Sequence, residues 1–582
     1  MQDIQDTTTN SFRFGQSARL DAWLLHFLTE NDLEYSIHPH KNASGEQLRF
    51  MVHLDEGQVF LPCSDKLVPH LLSSRMNDEL GRRYNAKWCA LVDLVRGYVP
   101  DRYIRKRILH LCRHKFRQIQ ASPIIIPSRM MKRFITIFMT QSGIMDPYRG
   151  RKARYNRQAL EAIESPEIDR LLNICPEERM VCRRLRDLRF ELDMLELERL
   201  IILSTVSGIW TDVYYQAALE RMTSSDLASP AAMQCLEQVF RNGKQAPKKI
   251  LYLPNTSGGI IFDLLIIRAL MRQGHRIVLA VKEGFHFESA SFWDWEHDPS
   301  LARALEGAHF LQDSEISKNA LLAEQRMHPL VVISDGTRED LNLYRTSVTF
   351  ARAWKEADLI MATGNQHYRR LIDTSTTFTR DILCWGRDEE GTFKINLKRR
   401  PESIITFSEK DLQAKADEII AEMRVAHAEG KSVMFYSAII GSLPGQVTTA
   451  IKVVDTFVRH LRQRLENTYI INPAEHFEEG MDADDLMYMW EKVQRSGMLD
   501  VWRFQTVSDI ERSFELMGMR VPPIWAGKDS TFSTGCTKEM RIALDMQRKN
   551  PEMQIIGPAA ERFFRRSEYG VGKFSDAVLD NV

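Results

Sequence analysis

The alternation of apolar and polar positions divides the chain into four stretches of different character. Residues 1–100 mix short periods. Arg49-Phe-Met-Val-His-Leu54 alternates with period two, as a half-buried strand does, and Gly57-Gln-Val-Phe-Leu-Pro62 follows as its hairpin partner. Residues 101–245 carry apolar side chains at helical spacing, which predicts helices over 103–120, 128–140, 152–162 and 177–203. From Lys248 onward, short apolar runs alternate with loops and helices. The runs 249–254, 276–281, 330–334 and 358–363 predict strands, with the loop Asn255-Thr-Ser-Gly-Gly259 and a helix over 260–273 after the first. Such alternation predicts a parallel sheet covered by helices on both faces, whose ligands gather at the carboxyl ends of the strands.

After the polar connector Leu397-Lys-Arg-Arg-Pro-Glu-Ser403 a second series begins. It predicts strands over 432–437, 468–472, 501–504 and 553–557, and helices over 409–429, 448–465, 484–496, 507–517 and 537–548. The expected class is α/β: a helical N-terminal part, a central doubly wound three-layer sheet of Rossmann-like type, and a second Rossmann-like lobe. The expected divisions are a small α+β region (1–100), a helical subdomain (101–245), an α/β domain (246–400) and the C-terminal lobe (401–582). The chain carries no short-period repeat or long low-complexity segment.

Composition narrows the function classes. The 582 residues include 78 basic and 78 acidic side chains, so no global field favours nucleic acid or an anionic membrane. The basic stretch Arg102–Arg117 reads as a solvated helix face. Eight cysteines occur without any C-x-x-C pair, which fits buried thiols in a reducing compartment better than a disulfide framework or zinc knuckle. The first residues are polar and acidic, and no run approaches the ~20 apolar residues of a membrane span, so the expectation is a cytoplasmic chain without a membrane partner. Self-association is left open.

Two marks carry a family resemblance. The first is Asp146-Pro-Tyr148 followed by Lys152 and Asn156-Arg-Gln-Ala-Leu160; the second is Gly208-Ile-Trp-Thr-Asp212. In this order, and followed by the α/β alternation, they resemble the damage-control phosphatase family, also called acidic-residue-methyltransferase-like, over about residues 105–375. The resemblance implies a metal-dependent phosphatase of small phosphorylated metabolites such as sugar phosphates, with a divalent cofactor (Mn, Mg, Co or Ni). The family's chemistry sits in strand-end loops. The D-N-A-G-E loop aligns here with Asn255, Thr256, Ser257, Gly258 and Gly259, so the two metal-binding positions carry Asn255 and Thr256. The Asp of N-D-A-T falls on Ser289, and the phosphate-contacting Lys of the third loop falls on Thr363, before Gly364. Divalent cations need anionic oxygen ligands, and these positions supply neutral ones.

Glu288, Asp294 and Asp335 are candidate replacement ligands, with His286 beside them and Glu288 and Asp335 also candidates for catalysis. The loop 255–259 either cradles an anion with its N–H groups or simply caps the following helix. In the C-terminal lobe, Ser533, Thr534, Gly535 and Lys538 gather where a helix begins, a place for an anion, and Cys536 there is either a nucleophile or a buried thiol. Ile440–Gln446 is either an anion-binding loop or a turn, Asp482, Asp484 and Asp485 either an ion site or an acidic first turn, and Asn472–His476 a strand-end ligand loop. Arg503, Arg565 and Arg566 are phosphate partners by residue type. Two readings follow: an enzyme acting on a phosphorylated small molecule, or a catalytically inactive metabolite- or partner-binding regulator. No glycine-rich adenosylmethionine loop supports methyl transfer.

Overall fold

The computed structural model describes residues 8–33, 43–73, 76–173, 185–206, 209–210, 215–240, 247–443, 446–476, 478 and 480–568. Cys175, Cys182, Gly208, Asp212 and Pro444-Gly445 lie outside them, as do the first eight residues of the expected helix 177–203, which is present as Leu185–Leu203. The chain forms two compact units, Met1–Pro401 and Glu402–Val582.

The first unit is organised by a seven-stranded sheet of β1 (Lys249–Leu253), β2 (Arg276–Val281), β3 (His309–Leu311), β4 (Leu330–Ser334), β5 (Leu359–Thr363), β6 (Ile382–Arg387) and β7 (Phe393–Lys398). Its order is β3-β4-β2-β1-β5-β6-β7, parallel throughout except for the antiparallel β6–β7 pair. The apolar runs Lys249-Ile-Leu-Tyr-Leu and Arg276-Ile-Val-Leu-Ala-Val bury both faces, as a covered parallel sheet requires. Strand periodicity sorts them: Leu251, Leu253, Val278 and Ala280 pack on one side, Ile250, Tyr252, Ile277 and Leu279 on the other. The first side is covered by residues from Phe12 to Met139, the second by the helices Leu185–Leu203, Pro230–Phe240 and Gly259–Arg272. The divisions expected near residues 100 and 245 therefore fall within continuous hydrophobic cores.

The expected hairpin at 49–62 does not form. Val52 bridges Phe378 and Gln58 bridges Arg13, so both segments pair with distant partners. The helices expected at 103–120, 128–140 and 152–162 are present as Arg102–Ala121, Pro127–Ser142 and Arg149–Ile163, and Asp78–Tyr98 adds a fourth long helix.

The second unit is a four-stranded parallel sheet of β8 (Ser432–Ser437), β9 (Thr468–Ile471), β10 (Val501–Phe504) and β11 (Gln554–Ile556), ordered β11-β10-β8-β9. Helices Glu409–Ala428, Val447–Arg464, Ala483–Gln494, Val507–Leu516 and Thr534–Lys549 alternate with the strands, as the sequence pattern predicts. Among the described residues, no helix is long and apolar enough to cross a membrane.

Candidate functional site

In the first sheet β1 lies between β2 and β5, with β4 beyond β2, so the loops leaving their carboxyl ends meet over the middle of the sheet. They enclose a cavity of about 280 Å³ lined by Asn255, Thr256, Lys282, Ser289, Asp335 and Thr363, with Gly364, Asn365, His367 and Arg369 on its β5 side. Positions 255, 256, 289 and 363, to which the resemblance assigns metal and phosphate contacts, thus line one cavity. Thr256 and Ser289 even face each other as an antiparallel bridge.

The loop after β1 is held by bonds that use its own N–H groups. Asn255 N–H donates to Asp263 Oδ2 (2.7 Å), Thr256 N–H to the Asn255 Oδ1 (2.8 Å), Ser257 N–H to the Glu288 carbonyl (2.7 Å), and Gly258 N–H to Asn156 Oδ1 (2.6 Å). The Ser257 hydroxyl also donates to the Glu288 carbonyl at 2.7 Å. Four successive donors are therefore internally satisfied, and the expected backbone anion cradle at 255–258 is not available. Gly258 has φ +84°, and a Cβ there would lie 2.2 Å from Trp210 Nε1, so only glycine fits.

The helical mark holds this loop from behind. Asn156, fully buried, receives Gly258 N–H and donates to Asp298 Oδ2 at 2.7 Å. Lys152, equally buried, bridges Asp146 and Asp294, each at 2.7 Å. Asp294 also accepts the Ser291 N–H and hydroxyl, at 2.8 and 2.7 Å. Asp294 is thus a structural acceptor and not a ligand facing the cavity. Glu288 turns its carboxylate to Arg151 at 2.7 Å. Asp335 lines the cavity, but its Oδ2 is 2.6 Å from Lys282 Nζ and 2.9 Å from the Thr337 hydroxyl, while Oδ1 accepts Thr337 N–H at 2.7 Å. The expected replacement set of Glu288, Asp294 and Asp335 does not converge, because each carboxylate is held by a different cation. His286 lies beside Asp340, its Nε2 3.5 Å from Oδ1, and burial pushes its imidazole down to about 4.

Three groups at the site escaped the sequence reading. Lys282 follows β2 and is the cavity's buried cation. Asp263, inside the apolar helix Gly259–Arg272, takes the Asn255 N–H and the Tyr252 hydroxyl (3.0 Å), and burial pushes its carboxyl up to about 7. The signal was a lone carboxylate within Ile260-Ile-Phe-Asp-Leu-Leu265. His367 Nδ1 lies 2.9 Å from the Thr363 carbonyl, which can only accept, so Nδ1 carries the proton and Nε2 the lone pair. Burial, then Lys282, pushes this imidazole down to about 4, leaving it neutral. Thr363 itself is buried, and its hydroxyl has no hydrogen-bond partner among the described residues.

In the second unit the helix-start candidates resolve into caps. Ser533 accepts the Cys536 N–H (3.3 Å) as N-cap of Thr534–Lys549, with Gly535 and Lys538 inside its first turns. Cys536 is 2% exposed, its Sγ donates to the Ala438 carbonyl, and burial followed by the nearby Glu539 pushes its thiol well up, which removes the nucleophile reading. Asp482 and Asp485 form a capping box, so the acidic cluster is a helix start. Arg503 pairs with Asp509 at 2.8 Å, and Asn472 donates to Asp455 at 2.7 Å. The side chains of Arg565 and Arg566 lie outside the described set.

Comparison with known proteins gives two findings. Residues 89–387 match the damage-control phosphatase ARMT1-like domain. A crystal structure of a DUF89 family protein from Pyrococcus horikoshii is 18% identical, covers 54% of this chain and 92% of that chain, and superposes with a TM-score of 0.37. No curated protein matches the chain.

Proposed function

Because the chain belongs to the damage-control phosphatase ARMT1-like family, a metal-dependent family of metabolite phosphatases, we propose that it keeps the family's ligand cavity and uses it to bind a phosphorylated small metabolite without metal-dependent hydrolysis. What supports the absence of hydrolysis is the donor set. A hard divalent cation asks for carboxylates. The cavity offers Asn255, Thr256 and Ser289 at the family's ligand positions, and its acidic lining residue Asp335 is already paired with Lys282. The residues present do not fit the metal, and no catalytic step is assigned to it.

The observation that carries the binding reading is the Thr363 hydroxyl. It is buried and without a partner among the described residues, and Thr363 is a lining residue of the cavity at the position where the family resemblance implies a phosphate-contacting lysine. A buried hydroxyl of this kind needs an acceptor, and a phosphoryl oxygen supplies one. Lys282 and Arg369 give the same cavity two cations against one carboxylate. The neutral His367 Nε2 accepts a ligand hydroxyl. A sugar phosphate answers all of these demands: a phosphate for Thr363, Lys282 and Arg369, and hydroxyls for His367 and the side-chain amides of Asn365 and Gln366.

Calorimetric titration of the metal-free chain with fructose 6-phosphate and inorganic phosphate, repeated on Thr363→Val and Arg369→Ala, tests this. Binding to the parent in chelator, weakened in both variants, is expected. Phosphate release above background with Mn²⁺, Co²⁺, Ni²⁺ or Mg²⁺ would replace this reading with a phosphatase. Equal binding by parent and variants would remove the cavity as the site.

A further inference from the structure

Away from the cavity, at the far edge of the first sheet, two imidazoles and a carboxylate meet. His309 opens the edge strand β3, Glu324 lies near the end of the helix Lys318–Met327, and His328 is that helix's C-cap residue, leading into β4. The four-residue spacing puts Glu324 and His328 on the same side of the helix end. The pairing of His309 with Val331 brings β3 alongside them. Among the described residues, this is the group in which at least three His, Cys, Asp or Glu ligand atoms lie within 4.8 Å of one another.

We propose that His309, Glu324 and His328 form a binding site for a zinc-class divalent transition metal, tying the edge strand to the helix before β4. Three observations support it. First, both imidazoles bring Nε2 close to the same oxygen, Glu324 Oε2, at 3.2 and 3.7 Å. An ordinary ion pair needs one imidazole. Ligand atoms about 2.0–2.2 Å from a tetrahedral ion stand roughly 3.3–3.6 Å apart, and the two nitrogen-to-oxygen separations here, 3.2 and 3.7 Å, lie on either side of that range. Second, the ligand chemistry is two imidazole nitrogens and one carboxylate oxygen, which suits Zn²⁺, Co²⁺ or Ni²⁺ and not Mg²⁺. Third, each of the three side chains is about one-third exposed, 34%, 31% and 33%, so an ion can enter and water can complete its coordination. The rings stack at 4.2 Å with planes 6° apart. Parallel rings cannot both aim their in-plane lone pairs at one ion, so binding tilts one imidazole out of the stack, and the exposure gives it room.

The test uses the full chain stripped of metal and titrated with Zn²⁺ by calorimetry. One zinc per chain is expected. His309→Ala and His328→Ala each weaken it at least tenfold, since even outer-sphere partners of a metal site are worth that much. Thr256→Ala and Ser289→Ala, in the cavity, leave it unchanged. Bound Co²⁺ gives visible absorption that both histidine variants lose. Independently of any variant, zinc protects His309 and His328 from diethyl pyrocarbonate, located by mass spectrometry, while other accessible histidines still react. Failure of the parent to bind, affinity indifferent to both histidines, or equal modification with and without zinc each overturns the site. The outcome is separate from that of the cavity, where zinc plays no part.

Discussion

Asp263→Asn is expected to stabilise the first unit at neutral pH and to do so less and less as pH falls. Asp263 is fully buried, between Tyr252 on β1 and the backbone of Asn255. Burial raises its carboxyl from 3.8 to about 7. Below the unfolded value the carboxyl is protonated in both states and its contribution to stability is complete. Between pH 4 and about 7 the folded chain holds a proton that the unfolded chain has lost, so stability falls as pH rises; above about 7 the loss is full. The rise from 3.8 to about 7 corresponds to roughly 4 kcal/mol. Asparagine stays neutral, keeps an acceptor for Asn255 N–H, and lets the Tyr252 hydroxyl turn from donor to acceptor. Urea unfolding at pH 5, 6, 7 and 8, read by hydrogen exchange of peptides spanning 249–272, isolates this unit. The variant's advantage should grow by about 2–4 kcal/mol from pH 5 to pH 8. A difference constant across that range would refute the claim that Asp263 is held neutral by burial.

Asn156→Ala leaves Gly258 N–H and Asp298 Oδ2 without this partner and should cost about 2–4 kcal/mol, with weaker ligand binding because the β1 loop is no longer pinned; denaturant melts and titration check both. Lys282→Met strands the buried Asp335 and should cost about 3–5 kcal/mol, whereas Lys282→Met with Asp335→Leu should recover most of it, measured by the same melts. Cys536 should resist iodoacetamide at pH 7.5 in the folded chain and react after unfolding, as peptide mass spectrometry would show, while the exposed Cys89 reacts in both. Asn255→Asp, Thr256→Asn and Ser289→Asp together should create Mn²⁺ binding, seen by calorimetry, in a chain whose own cavity shows little.

The strands that the sequence made legible are those with continuous apolar runs: β1, β2, β4 and β5, and β8 to β11 in the second unit. Three were hidden for physical reasons. β3 is three residues long, and β7 reads Phe-Lys-Ile-Asn-Leu-Lys, an exposed edge whose alternation is short and mixed with charge. β6 follows a loop and lacks a helix of its own before β7, so no alternation announced it. The failed hairpin at 49–62 has the opposite cause. Its local pattern is strand-like, but backbone pairing went to Arg13 and Phe378, and no local period encodes a partner 326 residues away (378 minus 52). At the site, the family resemblance pointed to Asn255, Thr256, Ser289 and Thr363, and the structure brings these four together around one cavity. The resemblance was not enough to show that Asp335 is occupied by Lys282, 53 residues earlier.

The helical mark and the strand-end loops have separate structural roles. Asp146, Lys152 and Asn156 touch none of the cavity; they hold Asp294, Asp298 and Gly258 in place behind it. Of the four N–H bonds that hold the β1 loop, three go to Asp263, the Glu288 carbonyl and Asn156, none at a family ligand position, and the fourth goes to Asn255 Oδ1, an acceptor that an aspartate would equally supply. Loop shape and the family's metal positions therefore rest on largely different residues, with Asn255 common to both. Where the family resemblance implies aspartates, Asn255 and Ser289 carry no charge to repel an anion, and Asn255 still accepts the Thr256 N–H. On the proposed reading, absence of metal chemistry and retention of a cavity able to take an anion are compatible, and the Thr363 hydroxyl, without a partner among the described residues, is the donor proposed for that anion.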